Sequence, residues 1–212
     1  NYIIRRSTKL SKQSHIVAAN IDRAWVMATL KQPRTSLGFI DRFLVTAEAY
    51  SIPASVIFNK KDVLDEEETE YVEALMKLYR SLGYSCWLIS SGDAVDVELI
   101  KSEMKGKVNL LAGHSGVGKS TLINKLDPNL DLKTGIISKV HSKGKHTTTF
   151  AEMHELNCGG WIIDTPGIKE FGIVHVERHE LSHFFPEMTN LLGKCKYDGC
   201  LHDQEPGCAV KD

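Results

Sequence analysis

The segment that most constrains this chain is 113–120, whose sequence GHSGVGKS matches the pattern G-x-x-x-x-G-K-S. The apolar run Val108–Ala112 precedes it, and a helix is predicted over Lys119–Leu126. A strand, a glycine-rich loop and a helix in this order are the context in which the pattern forms a phosphate-binding loop. The sequence therefore predicts a nucleoside triphosphate site.

Each fixed position of this loop has a physical role. Glycines let the backbone wrap so that several N–H groups point at the phosphates, and the helix directs its positive end at the same place. Lys119 adds a charge for the terminal phosphates, and the Ser120 hydroxyl can ligate Mg²⁺. The alternative, a glycine-rich turn with an exposed lysine, does not explain the flanking strand and helix. The predicted phosphate contacts are Gly113, His114, Ser115, Gly116, Val117, Gly118, Lys119, Ser120 and Thr121.

A second element of the phosphate side is Asp164, which follows the apolar run 161–163 and begins the sequence Asp-Thr-Pro-Gly. A carboxylate at the end of a parallel strand beside the phosphate loop can hold Mg²⁺, typically through water. The backbone N–H of Gly167 can then contact the γ-phosphate. The same four residues also make a good turn, so this assignment depends on the phosphate loop.

The sequence Asn-Lys-Lys-Asp at 59–62 follows Ala54–Phe58, an apolar run typical of a buried parallel strand. Guanine presents two donors, its N1–H and its exocyclic amine, and the carboxylate of Asp62 can accept both. Adenine would leave that carboxylate unpaired, which costs binding free energy. Asn59 can tie this loop to the phosphate loop, and the stem of Lys60 can cover the base. A polar turn is the alternative. Backbone N–H groups for guanine O6 are expected from Ser90, Ser91 and Gly92.

Alternating strands and helices predict an α/β fold, a parallel sheet with helices on both faces. Between 127 and 150 no periodicity is evident, which indicates a long loop, and the first two strands are expected to form either a hairpin or a domain junction. Strands are expected at 16–21, 25–28, 54–58, 86–89, 108–112 and 161–163, and helices at 39–50, 97–104, 119–126 and 178–185.

One further helix is predicted to begin after Asp65, because an acidic cap with Glu68 three residues later is typical of a capping box. Gly83 should end it. Its buried face is expected at Tyr71, Leu75, Leu78 and Leu82.

The order of the motifs is unusual for a GTPase, in which the phosphate loop normally comes first and the guanine motif last. Here 59–62 and 90–92 precede 113–120, and 164–167 follows. Because the termini of compact domains are often close together, the same sheet can be built from a chain cut elsewhere. The order predicts a circularly permuted P-loop GTPase in which the segment around Gly167 continues directly into a C-terminal unit.

Together these motifs resemble the RsgA family of circularly permuted GTPases. The resemblance covers nearly all of 16–212 and implies a bacterial cytoplasmic factor in late maturation of the 30S ribosomal subunit, with GTP hydrolysis stimulated by that subunit and its 16S rRNA as a partner. The family also has an N-terminal OB-fold domain and continues past the zinc ligands, so we expect 1–212 to be part of a longer chain. The matching segments are NKKD at 59–62, GHSGVGKS at 113–120, GKHTTT at 144–149, DTPG at 164–167 and the Cys/His cluster.

Residues 133–150 form the expected first switch of the GTPase. A threonine among 147–149 should reach Mg²⁺ and the γ-phosphate, and Thr148 is our choice. Many GTPases carry a glutamine directly after the glycine of the Asp-x-x-Gly motif to orient the attacking water. This chain has Ile168 there. Either hydrolysis is intrinsically slow or another group orients the water, for which His146 is the candidate. The predicted catalytic residues are His146, Lys119 and Thr148.

Three cysteines and a histidine near the end of the chain predict a structural zinc site. The spacing C-x4-C-x-H-x5-C supplies a complete tetrahedral Cys3His set with no position open for catalysis. Zinc would replace a hydrophobic core that so short a segment cannot build. The predicted ligands are Cys195, Cys200, His202 and Cys208.

The predicted division is 1–32 for the end of an OB-like domain and linker, 33–176 for the GTPase domain, and 177–212 for a helical zinc-binding unit. The net charge is −1 and no apolar run is long enough to span a membrane. No signal peptide is evident, and the cysteines do not form the pattern of a secreted disulfide scaffold, so we expect a cytoplasmic protein. We also expect a monomer that uses GTP or GDP, Mg²⁺ and one Zn²⁺. Two alternatives remain: a non-hydrolysing GTP/GDP-binding zinc module, or a permuted GTPase of large-subunit assembly.

Overall fold

The computed structural model of the protein describes residues 2–6, 14–132, 151–165 and 176–211, with side chains from residue 18 onward. Strand β1 (Tyr2–Arg6) and strand β2 (Ser14–Ala19) form a separate antiparallel pair. They share no sheet with the strands that follow. The junction alternative is therefore favoured over the hairpin between the first two predicted strands.

Among the described residues, the main sheet has six strands in the order β5-β4-β3-β6-β8-β7. Five of them run parallel, and β7 pairs with β8 antiparallel at one edge. The side chains of the central strand β3 are apolar on both faces of the sheet, because successive side chains of a strand point to opposite sides. The strands are β3 (Arg23–Ala28), β4 (Ala54–Phe58), β5 (Ser85–Leu88), β6 (Val108–Ala112), β7 (Glu152–Glu155) and β8 (Trp161–Asp164).

Helices cover both faces of the sheet and make two cores. On one face Ala24, Val26 and Ala28 of β3 pack in the same cluster as side chains of α1 and α2. On the other face Trp25 and Met27 pack in the cluster that contains side chains of α3 and α4. The helices are α1 (Leu37–Ala49), α2 (Glu66–Ser81), α3 (Ala94–Met104), α4 (Lys119–Leu126) and α5 (Pro186–Thr189), with 3-10 helices at Lys61–Val63 and Leu181–Phe184.

Helix α2 begins as predicted but turns a different face inward. Asp65 accepts a hydrogen bond from the Glu68 N–H, and Glu68 accepts one from the Asp65 N–H, which completes the capping box. The predicted buried face is wrong: Tyr71 is 43% exposed and Leu78 is 54% exposed. The stripe one position further along the helix, Val72, Met76 and Tyr79, is the buried one.

Three other predictions need correction. The helix expected at 178–185 is instead the short 3-10 helix followed by α5, and strand β7 was not expected. The GTPase domain was expected to begin at residue 33, but β3 lies in the middle of the sheet. The sheet therefore begins before that boundary. No helix in the described part of the chain is long and apolar enough to cross a membrane.

Candidate functional site

The candidate site lies where the carboxyl ends of the central parallel strands meet, the usual ligand position in an open α/β sheet. Strand β6 leads into the phosphate loop, β4 into 59–62, and β8 ends at Asp164. The topology therefore brings together three segments that are far apart in the sequence.

Two glycines of the phosphate loop hold positions that a side chain could not occupy. Gly118 has a φ of +107°, and a Cβ there would lie 2.4 Å from Nδ2 of Asn59. A Cβ on Gly113 would lie 2.5 Å from the carbonyl oxygen of Met27 in β3. The glycines thus let this loop pack directly against β3 and against 59–62.

Lys119 is held inside the phosphate loop. It is 7% exposed, and its Nζ donates to the carbonyl oxygens of Gly113 at 2.7 Å and His114 at 3.1 Å. Burial lowers the pKa of its ammonium group, while the negative charge of Asp164 acts in the opposite direction. A buried cation in a loop of backbone groups is suited to a phosphate, whose charge would offset the desolvation of the lysine.

Asp164 has the properties expected of a Mg²⁺ ligand or of a holder of its water. It pairs with Leu111 in the register of β6 and β8. Burial raises the pKa of its carboxyl group, and the charge of Lys119 partly offsets this. Its Oδ1 is buried with no hydrogen-bond partner among the described residues. A buried carboxylate oxygen without a hydrogen-bond partner among the described residues, close to the phosphate-loop lysine, fits a divalent cation that also contacts phosphate.

Asn59 joins three loops of the site. Its Nδ2 donates to the Val117 carbonyl oxygen at 2.8 Å, so 59–62 and the phosphate loop are hydrogen-bonded. Its Oδ1 accepts the Ser91 N–H at 3.0 Å and the Ser91 hydroxyl at 2.9 Å. Both Asn59 and Ser91 are buried. The amide oxygen therefore accepts two hydrogen bonds within the protein, and the side chain fixes the positions of the loops.

The loop after β5, predicted to contact guanine, makes hydrogen bonds within the protein. The Ser90 N–H donates to Asp96 at 2.8 Å, the Ser91 N–H to Asn59, and the Gly92 N–H to the Ser90 hydroxyl at 3.4 Å. All three donors expected to bind guanine O6 thus already have acceptors within the protein. These bonds fix the position of the loop relative to 59–62.

Asp62 is exposed, and its Oδ1 accepts the Ser90 hydroxyl at 2.6 Å. This bond orients the carboxylate and leaves its other oxygen available to a ligand. Lys60 adopts a left-handed backbone with a φ of +67°, and its Nζ donates to the Gln32 carbonyl oxygen. The Lys61 N–H donates to the Ile89 carbonyl oxygen at 3.0 Å, which fixes 59–62 to the end of β5.

The loop that follows β3 also reaches the site, which no motif predicted. Besides the Gln32 bond, the ring of Pro33 lies beside Gly116, 3.3 Å from where a Cβ would stand. The His114 ring packs on Phe39 of α1, with the ring centroids 4.0 Å apart. These contacts depend on tertiary packing and leave no local pattern. The predicted residues His146, Thr148, Gly167 and Ile168 lie outside the described residues.

The predicted zinc ligands come together in the C-terminal unit. One ligand atom from each of Cys195, Cys200, His202 and Cys208 lies within 4.8 Å of all the others. His202 Nδ1 is 3.5 Å from the Cys195 sulfur and 3.4 Å from the Cys208 sulfur. Atoms at about 2.0–2.3 Å from one tetrahedral ion would have nearly this spacing. The four side chains therefore fit a zinc ion.

Comparisons with known proteins agree on one family. A family model described as RsgA GTPase matches residues 1–174. A protein of Bacteroides fragilis named small ribosomal subunit biogenesis GTPase RsgA is 54% identical over all of this chain and 68% of its own length. A Bacteroides thetaiotaomicron protein named small ribosomal subunit biogenesis GTPase RsgA 2 is 52% identical, with coverage of 100% and 68%.

Two solved structures have the same fold. YjeQ from Thermotoga maritima superposes with a TM-score of 0.76 at 34% identity, covering 98% of this chain and 68% of that one. YloQ, described as a circularly permuted GTPase, gives 0.71 at 31% identity, with coverage of 98% and 64%. The order of the loops in this chain, with 59–62 ahead of the phosphate loop, is the permuted order. The chain belongs to the RsgA family of circularly permuted GTPases.

Proposed function

We propose that this protein binds GTP and hydrolyses it as a switch in the biogenesis of the small ribosomal subunit. The observation that carries the nucleotide part is the hydrogen bond from Asn59 to Val117, which holds 59–62 beside the phosphate loop. One nucleotide can then contact both segments. The ribosomal part is supported by the names of the relatives, which also favour the small subunit over the large one.

Different residues contact the base and the phosphates of the nucleotide. Asp62 accepts the two guanine donors, Asn59 fixes the loop, and the stem of Lys60 covers the base. The backbone of 113–118 and the ammonium group of Lys119 hold the phosphates, with Ser120 and Thr121 at the start of α4. The N–H of Gly167 contacts the γ-phosphate. Ser90, Ser91 and Gly92 keep the guanine loop in place.

Magnesium would be held by Ser120, Asp164 and Thr148, and would neutralise charge that develops on the phosphates. Lys119 stabilises the same charge electrostatically. Ile168 cannot orient the attacking water, so we assign that role to His146. The expected result is a low intrinsic rate that rises when the small subunit binds.

The zinc-binding unit, 177–212, is proposed to be structural, with one ion held by its three thiolates and His202. The GTPase domain is proposed to run from 23, where β3 begins, to 176, with 1–22 belonging to a preceding unit. The protein is proposed to act as a cytoplasmic monomer, in contact with the 16S rRNA of the subunit.

Multiple-turnover phosphate release from GTP, measured with and without purified small subunits, tests the proposal. We expect slow release alone and at least about tenfold faster release with subunits, which is 1.4 kcal/mol of barrier. Lys119→Ala should abolish both rates. His146→Ala should lose most of the stimulated rate and keep GDP affinity.

The same assay separates the alternatives. Nucleotide binding without release under either condition would indicate a non-hydrolysing module and overturn the proposal. Stimulation by large subunits and not by small ones would overturn the ribosomal assignment. If His146→Ala turned over at the stimulated wild-type rate, the water would be oriented by another group.

A further inference from the structure

Helix α2 carries a second apolar stripe, of which Leu75 and Leu82 pack partly against the core while Tyr71 and Leu78 remain exposed. We call Tyr71, Leu75, Leu78 and Leu82 the α2 ridge. Tyr71 is 43% exposed and Leu78 is 54% exposed, and the other two are half-buried. Leu37 of α1, 39% exposed, lies near the ridge because it lines the same groove as Leu75 and Leu78. A contiguous exposed apolar patch of this kind is typical of a surface that binds a partner.

Beside the ridge a groove of about 270 Å³ opens between α1, α2 and the C-terminal unit. We call it the joint groove. Its floor is apolar and includes the buried side chains of Leu44, Val45 and Tyr84. Residues of the C-terminal unit close one side, namely Phe184, Phe185, Pro186 and Glu187. Ridge and groove are continuous, since Leu75, Leu78 and Leu82 belong to both.

The joint groove is negatively charged. Asp41 and Glu187 line it, and no lysine or arginine does so among the described residues. Burial raises the pKa of the Tyr84 phenol, and the carboxylates of Glu48, Glu187 and Asp41 raise it further. Three carboxylates therefore act on one point of an apolar floor. Part of this charge is fixed in place, because Asp41 accepts the Tyr79 hydroxyl at 2.8 Å.

We propose that the joint groove and the α2 ridge bind a basic, apolar-anchored protein segment, one arginine or lysine of which enters the groove. Its aliphatic stem lies on the apolar floor while its charge lies near Asp41 and Glu187, as long cationic side chains commonly do. Neighbouring apolar side chains of the segment contact Tyr71 and Leu78. This is the helix-in-groove mode of peptide recognition, with added charge complementarity.

The same charges disfavour the other occupants. The phosphates of an RNA would be repelled by the carboxylates of the groove. A second copy of this chain would bring two acidic surfaces together, since the first half of α2 exposes Glu66, Glu67, Glu70 and Glu73. The inference rests on the proposed function, because the partner is then a protein component of the small ribosomal subunit.

Site-specific photo-crosslinking tests this directly. A benzoylphenylalanine in place of Leu78 is irradiated in the complex of the protein with purified small subunits and a non-hydrolysable GTP analogue. We expect a crosslink to a ribosomal protein, at a segment that contains arginine or lysine. The same photoreactive residue in place of Val95, which is 79% exposed on α3, is the control and should not reach that segment.

A pair of introduced positive charges gives an independent readout. Leu78→Lys combined with Glu187→Lys should weaken co-sedimentation with small subunits roughly tenfold, the size of effect found for central interface residues, because both changes repel a basic segment. GTP turnover without subunits should stay unchanged, since neither residue lies at the nucleotide site. Glu155→Lys, an exposed carboxylate on β7, is the matched control and should bind as wild type.

The outcomes distinguish this inference from the proposed function. A crosslink from position 78 to 16S rRNA, to a second copy of the chain, or to nothing while the protein is bound would overturn the inference and leave the function standing. Wild-type co-sedimentation of the Leu78→Lys, Glu187→Lys variant would also overturn it. Failure of the wild-type protein to co-sediment or to be stimulated would overturn both.

Discussion

At the scale of single residues, the site depends on Asn59 as much as on any group that would touch the nucleotide. Its amide makes hydrogen bonds to Val117 and Ser91, which lie 58 and 32 residues away in the sequence. A motif can predict that an asparagine stands at this position. The pairing with Ser91 could not be predicted, because it depends on how β4 and β5 pair.

The first prediction at the scale of single residues concerns how Asp62 recognises guanine. In Asp62→Asn, one of the two carboxylate oxygens is replaced by an NH₂ group. This donor faces an N–H donor of guanine, so neither of the two has an acceptor. We expect GDP affinity to fall by about 100-fold, or roughly 2.7 kcal/mol, within the cost of unpaired polar groups. Affinity for xanthosine diphosphate should rise, because xanthine has a carbonyl oxygen in place of the exocyclic amine of guanine. Competition against a fluorescent GDP measures both.

The control for this variant is Glu66→Gln, which removes an exposed carboxylate at the start of α2, near Asp62 in the sequence. It should bind both nucleotides as the wild type does. Equal loss of affinity for the two diphosphates in Asp62→Asn would mean that the side chain supports the loop and does not read the base.

The ionisation of Asp164 gives a pH dependence. Burial raises its pKa, so protonation is favoured in the folded protein without ligand. Its contribution to folding stability is therefore largest below the unfolded-state value of about 3.9 and is lost as the pH rises through the folded-state pKa. Binding of Mg²⁺ requires the ionised form. The gain in nucleotide affinity from Mg²⁺ should thus decline as the pH falls, at a higher pH than for an ordinary carboxyl group.

Titrations of a fluorescent GTP analogue between about pH 5 and 8, with and without Mg²⁺, measure this effect. Below the folded-state pKa we expect the gain from Mg²⁺ to fall by up to about tenfold per pH unit. In Asp164→Asn the gain should be small at every pH. A gain in Asp164→Asn as large as the gain in the wild type would contradict a role of Asp164 in holding the ion.

At the scale of elements, the C-terminal unit has the least core of its own. Its 3-10 helix Leu181–Phe184 and α5 have four residues each and no fully buried side chain. Of the described residues after 175, only Cys208 is buried. We therefore expect this unit to need a metal to fold, since little else would hold the four ligands together.

Loss of one ligand should therefore unfold the unit without affecting the sheet. In Cys208→Ser, zinc measured by atomic emission should drop from one ion per chain to near zero, and limited proteolysis should cut within 177–211. GDP affinity should change less than about threefold, because the zinc ligands lie outside the nucleotide site. For comparison, a tenfold change would correspond to about 1.4 kcal/mol of binding free energy. Cys158→Ser removes a half-buried thiol outside the cluster and should keep the zinc. A protease-resistant, zinc-free Cys208→Ser protein would contradict a structural metal.

The elements also show where sequence patterns were sufficient. Strand β6 and helix α4 lie where they were predicted, because an apolar run and a phosphate loop fix both their bounds. Helix α2 has two apolar stripes with the same 3.6-residue period, 100° apart, and the period alone does not say which one is buried. The sequence favours the leucine-rich stripe as the buried face, but the core of the sheet packs on the other stripe. Strand β7, with the sequence EMHE, lacks the apolar content by which strands are recognised.

At the scale of the whole molecule, the permuted order means that the segment after Asp164, on the phosphate side of the site, continues directly along the chain into the C-terminal unit. The chain passes from Asp164, at the end of β8, to residue 176 through a segment of 11 residues. The C-terminal unit also packs on the GTPase domain, since Phe184 and Phe185 line a groove with Leu44 of α1. Changes at the γ-phosphate thus have a short covalent path to the zinc-binding unit.

Hydrogen exchange in the two nucleotide states measures this coupling. Amides in 177–211 should exchange at different rates with GDP and with a non-hydrolysable GTP analogue. Amides in α3, which packs on the far face of the sheet, serve as the internal reference and should exchange alike. Identical exchange throughout 177–211 would mean that the unit does not sense the nucleotide.

The position of β3 has a consequence for how the protein is made. This strand lies between β4 and β6, and the buried Trp25 donates to Asn109, a partner 84 residues later. At about 5–20 residues per second, roughly 4–17 s of translation separate the two. During that interval one edge of an apolar strand has no neighbour, which is the condition under which nascent chains associate wrongly. The guanine loop is synthesised within the same interval, but the phosphate loop follows it. A growing chain of this order can therefore acquire its nucleotide only after α4 has been translated, when four of the six described strands of the sheet have been made.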